Sequence, residues 1–196
     1  MAAPVAQFSV HEGGSAVRSD EHRREIHELW FTLARRPWQS LVLVPTDVGM
    51  SVAAYATALA EVGTRLRDSP VTAIDAENMS YESARKLTNV HALIADGGHR
   101  WLLGSIEAEA KVTLAPREVV GEGSVPHAAP RPMSPFGQVV IAIRSVFEQP
   151  LGVAVAQAAD AVVICVEMGQ SRLKSARRTL QLVGPERVVG TLLLRE

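Results

Sequence analysis

Apolar positions along this chain fall into two rhythms. Between Asp20 and Arg36, Ile26, Leu29, Trp30 and Leu33 recur at i, i+3, i+4 and i+7, the stripe of an amphipathic helix. Asp20 and Glu21 fall in its expected first turn and Arg35 and Arg36 in its last, as the macrodipole favours, and Pro37 ends it. The second rhythm is a series of short unbroken apolar runs: Ser40–Val44, Val71–Ile74, Val90–Ala95, Val139–Ile143, Ala161–Val166 and Val188–Leu194. Runs that do not alternate suit strands buried on both faces. Helical stretches separate them, at about 51–66, 80–87, 151–159 and 171–182. Strands interleaved with helices predict a doubly wound α/β fold, a mostly parallel sheet with helices on both faces.

Residues 1–19 mix Gly, Ala, Ser and single hydrophobics and read as a loose leader, with one α/β domain over 20–196. The stretch 97–114 fits neither rhythm. Residues 115–135 carry five prolines and two glycines, a loop composition and not a helix interior. At 196 residues the chain suits one domain with a sizeable core.

The formal net charge of −1 gives no whole-protein field toward nucleic acid or an anionic membrane, so neither is expected as a partner. Arg172, Lys174, Arg177 and Arg178 share one predicted helix and read as a solvated basic face. The single cysteine, Cys165, lies in an apolar run, which makes it a buried inert thiol. A reducing cytoplasm fits that usage. The chain start lacks the charged and apolar regions of a signal peptide, and no window approaches the ~20 apolar residues of a spanning helix. The histidines show no metal-ligand spacing, so no metal is expected. Trp30 is expected in the core, with Phe31 and Trp38 flanking it as core packing or a docking surface.

In open α/β sheets ligands bind beyond the carboxyl ends of the strands. After the first long strand the chain reads Val44-Pro45-Thr46-Asp47-Val48-Gly49-Met50-Ser51 and opens a helix. A phosphate loop in that place would read G-x-x-x-x-G-K-[ST]. Gly49 and Ser51 match, Val44 replaces the first glycine, and Met50 replaces the lysine that meets the β- and γ-phosphates. Asp47 adds a negative charge inside the loop. No lysine precedes Lys86, so no shift of alignment restores one.

The stretch from Ser40 to Leu66, with Ile74-Asp75-Ala76-Glu77 after it, resembles the deviant Walker-type ATPases related to MinD and ParA. Within that group it is most similar to the cytoplasmic domains of bacterial tyrosine kinases of capsule and exopolysaccharide synthesis. The segment from Gln138 to Leu194 continues the resemblance through the family's Walker B strand, next strand, helix and closing strand. It implies a P-loop NTPase-like fold with degenerate Walker motifs. It also implies that the Walker B acid falls at or beside Ala142, with Arg144-Ser145 after it, and that the base-contacting asparagine falls within Leu192–Leu194. Of the family's oligomerisation motif only Glu25 remains, and no terminal tyrosine cluster follows Arg195. Gly49, Met50 and Ser51 are thus a remnant loop and Asp75 a remnant acid, with Glu77 beside it; the alternative for both acids is that they are simply polar residues ending a strand. Losing lysine and magnesium-binding acid together costs on the order of 10² in rate or more per group. The resemblance therefore implies a pseudo-ATPase or pseudokinase with no catalytic residues and no cofactor. Its expected partner is a membrane polysaccharide co-polymerase or an active ATPase of the same fold, with a homo- or heterodimer as the assembly and recruitment to the inner membrane through the partner. Two alternatives stay open: an ATP-binding MinD/ParA-like ATPase with unusual site residues and, more weakly, a RecA-like DNA-repair accessory protein.

Overall fold

The computed structural model describes residues 6–11, 16–67, 71–89, 111–114 and 137–195. Among these residues seven strands form one sheet: β1 (Ala6–His11), β2 (Ser40–Pro45), β3 (Val71–Asp75), β4 (Lys111–Leu114), β5 (Gln138–Ala142), β6 (Ala161–Glu167) and β7 (Val188–Arg195). Their order is β1-β7-β6-β2-β5-β3-β4. Every neighbouring pair is parallel except β3 and β4. Among the described residues five helices accompany them: α1 (Ala16–Leu33), α2 (Ala53–Leu66), α3 (Tyr81–Leu87), α4 (Leu151–Ala158) and α5 (Leu173–Val183).

The side-chain period of two along each strand divides the interior into two cores. Leu41, Leu43, Val140, Ala142, Val163 and Cys165 pack with α1 and α2 on one face. Val42, Val44, Ile141, Ile143 and Val162 pack with α3, α4 and α5 on the other. β2 and β5 are buried at every position, which is why they read as unbroken apolar runs. The fold is α/β with helices on both faces, as the hydrophobic pattern predicts.

The α1 stripe lands where the pattern puts it: Ile26, Leu29, Trp30 and Leu33 are buried. Trp38 is buried too, packs edge-on to Trp30 with ring centroids 5.7 Å apart and donates its indole N–H to the Leu33 carbonyl at 3.1 Å. Phe31 is exposed. Gly63 lets α2 come close to α1, because a Cβ there would run into the Trp30 indole and the Val71 side chain.

Three expectations change. The segment expected as a loose leader contains β1, paired with β7 from Ala6↔Gly190 to His11↔Arg195, and α1 begins at Ala16 instead of Asp20. Ala6–His11 does alternate apolar and polar residues, the period of a half-buried strand, but over six residues set among small ones and with its partner at the far end of the sequence that alternation is easily passed over. With α1 starting earlier and ending at Leu33, Asp20 and Glu21 leave its first turn, and Arg35 and Arg36 lie beyond its last. The ambiguous stretch contributes β4, an antiparallel edge strand with Lys111 opposite Asp75. The Val90–Ala95 run, Trp101 and residues 115–135 lie outside the described residues.

Candidate functional site

The sheet fixes where a ligand would sit. From β2 the chain passes through α2 toward β3 on one side of the sheet, and from β6 it passes through α5 to β7 on the other. β2 and β6 are neighbours, so their departing loops diverge and leave a crevice at the topological switch point. A cleft of about 560 Å³ opens there. Asp47, Val48, Met50 and Ser51 line it from the β2–α2 loop, and Glu167, Gln170 and Leu194 line it from the β6 and β7 side. Its lining includes two carboxylates and no lysine or arginine.

Glycine at position 49 is required by its backbone, which turns through φ +84°, a region that costs other residues energy. α2 then starts at Ala53 with Val52 as N-cap, and Val52 has no side-chain oxygen to cap with. Orphan N–H groups at a helix start need an acceptor. Glu77 supplies it from the turn after β3. One oxygen, Oε1, accepts from the Ser51 hydroxyl at 2.9 Å, the Val52 N–H at 2.7 Å and the Ala53 N–H at 3.2 Å. Asp75 prepares that placement, because its Oδ1 accepts from the Glu77 N–H at 3.1 Å and tightens the turn. A second carboxylate completes the arrangement: Glu148 Oε2 accepts from the Gly49 N–H at 3.0 Å. Arg144 stands 3.9 Å from Glu148 and donates to Asn78 Oδ1 at 2.8 Å, joining the turns that carry the two glutamates. A helix N-terminus attracts anions through its free N–H groups and dipole. Here two anions of the protein itself stand on those donors.

The predicted loop residues come together, in altered roles. Val44 is fully buried inside β2 and so belongs to the strand, not to a loop that could wrap a phosphate. Met50 is half-buried and packs against the α1–α2 core, as a methionine in place of an ammonium can. The Ser51 hydroxyl is given to Glu77. Ala142 is buried at the end of β5, its carbonyl accepting from the Ala76 N–H at 2.8 Å. Leu192 and Leu194 are buried on β7. From the sequence Asp75 and Glu77 are either relics of an acidic motif or polar residues ending a strand, and the structure has them form a turn and a cap. Glu148 has no local signature, because its bond to Gly49 spans 99 positions.

Across the crevice the two loops are stapled by hydroxyls. The Glu167 N–H donates to Ser171 Oγ at 2.8 Å, Ser171 Oγ lies 3.1 Å from Thr46 Oγ1, and Thr46 Oγ1 lies 2.7 Å from Asp47 Oδ2. The Asp47 carboxylate can only accept, so Thr46 donates to it and Ser171 donates to Thr46. The nearby Cys165 thiol is buried, and burial pushes its pKa far up against a smaller opposing backbone hydrogen bond at Val44. It is no nucleophile at neutral pH. Among the described residues no group of three or more His, Cys, Asp or Glu could hold a metal ion, and no helix is long and apolar enough to cross a membrane.

No protein-family model matches this chain, and a search of curated proteins finds no match.

Proposed function

We propose that the chain is a catalytically inactive, P-loop-like domain that works as a protein-interaction or regulatory subunit. The observation that carries this reading is the occupation of the β2–α2 loop by Glu77 and Glu148. Phosphoryl transfer depends on positioning and on stabilising spread negative charge. A loop whose N–H groups already face carboxylates, with methionine in the lysine position and no cation on the cleft wall, offers the opposite field. The resemblance to exopolysaccharide tyrosine kinases directs the proposal to polysaccharide synthesis and export, with a co-polymerase or an active ATPase of the same fold as partner.

Calorimetric titration of the full chain with ATP and with ADP, each with and without magnesium, tests the reading. It predicts no heat of binding up to about millimolar nucleotide, where a free energy near −4 kcal/mol would register. Micromolar, magnesium-dependent binding would overturn it and restore the ATP-binding alternative.

A further inference from the structure

α5 packs on β6 and α4, turning Thr179 and Val183 inward. At about 100° per residue, Lys174, Arg177 and Arg178 share roughly 100° of arc on the outward side. Leu173 and Leu182 mark its two edges, exposed by 66% and 37%. Arg172 precedes them at the N-cap. No carboxylate occurs between Gln170 and Pro185.

What distinguishes this face is that it gathers four cations on one helix with no carboxylate among them. Elsewhere on the described surface Arg24, Arg85, Arg144 and Arg187 each lie within 4.0 Å of a glutamate on the same or an adjoining turn, while the side chains of Arg35, Arg36 and Arg65 have no such partner among the described residues. On α5, Arg178 stacks over the Phe147 ring at 5.7 Å. The side chains of Arg172, Lys174 and Arg177 have no hydrogen-bond or ion-pair partner among the described residues. A merely solvated face needs no exposed leucines at its margins, and here there are two.

The geometry points to α5 as the docking face for an acidic, leucine-bearing helical segment of a partner protein. This rests on the reading of the chain as an interaction protein. Arginine forks meet carboxylates in bidentate pairs, the flanking leucines supply the apolar contact that such pairs lack, and the concentrated charge speeds encounter. An anionic bilayer is a poorer fit, because the apolar side of α5 is committed to the sheet and four cations are the low end of a lipid-binding cluster. Single-stranded nucleic acid is poorer still, because the outward arc of α5 presents no aromatic ring for bases to stack on.

The test is fluorescence anisotropy of the full chain with a labelled synthetic helical peptide carrying glutamates at i and i+4 between leucines. Binding in the tens of micromolar is expected at low salt, about tenfold weaker in Lys174→Glu/Arg177→Glu. A smaller loss is expected in Leu173→Ser, and none in Arg85→Glu, with circular dichroism confirming that each variant is folded. No binding, or equal binding by the charge-reversed variant, overturns the proposal. So does a preference for vesicles of equal phosphatidylcholine and phosphatidylglycerol, for a 20-nucleotide single strand, or for self-association in sedimentation. ATP binding would sink the inactive-domain reading and leave this result intact, while peptide failure would leave the loop reading standing.

Discussion

The two ends of the sheet use one chemistry for different purposes. At the amino end, Asp160 sits just before β6 and its Oδ2 accepts from the Gln39 N–H at 2.8 Å, the Ser40 N–H at 3.0 Å and the Ser40 hydroxyl at 3.3 Å. The Asp160 N–H in turn donates to Ser40 Oγ at 3.1 Å. At the carboxyl end, Glu77 and Glu148 take the N–H groups of the β2–α2 loop. The amino-end donors would need an acceptor in any protein folded this way, since the start of β2 is buried. The carboxyl-end donors are those that doubly wound sheets leave for ligands. A carboxylate at the first place ties the fold together. At the second it ties the fold together and also stands where a ligand's negative charge would go.

Breaking the amino-end staple should cost most. Asp160→Ala removes the carboxylate oxygen that the Gln39 and Ser40 donors share and is expected to lower unfolding free energy by about 2–3 kcal/mol, read from urea denaturation at constant m-value. Glu77→Ala removes the carboxylate cap at the start of α2, a loss of about 1–2 kcal/mol on the scale of N-cap removal. Glu77→Gln, whose amide oxygen can still accept, should recover more than half of it. Should the two Glu77 variants prove equally unstable, charge rather than capping holds the loop. Glu148→Ala gives up one bond to an exposed turn, so about 0.5–1 kcal/mol is expected. Its clearer mark is faster hydrogen exchange at Gly49 with strand amides of β2 unchanged. If slowing or no change is found there, the Glu148 contact does not order the loop.

Much of the fold was readable because burial on both faces leaves no ambiguity of period. Ser40–Val44, Val139–Ile143 and Ala161–Val166 announce central strands by composition alone, and the structure extends each by no more than two residues or shifts it by one. Edges were harder. Among the described strands β1 and β4 each pair on one side, and their period-two alternation, AQFSVH and KVTL, runs over only six and four residues, unlike the apolar runs of the centre. Of the site, Gly49 and Ser51 were legible as a strand-turn-helix motif, and Met50 as a missing charge. What Glu77 does was not. A glutamate two residues past a strand looks the same whether it faces water or caps a helix, and only the three-dimensional approach of the β3 turn to Ser51 decides it. Glu148 was invisible for the same reason at greater range.

The pairing of β1 with β7 has a consequence for the order of events when the chain folds. Ala6 and Gly190 are partners, about 180 positions apart, and β1 has no other neighbour among the described strands. The ladder it joins cannot exist until β7 has docked on β6. Closing so large a loop carries an entropy cost that nearer contacts do not. β1 is therefore expected to be the last of these strands to find its place, and the sheet grows outward from β2 toward the edge that β1 completes.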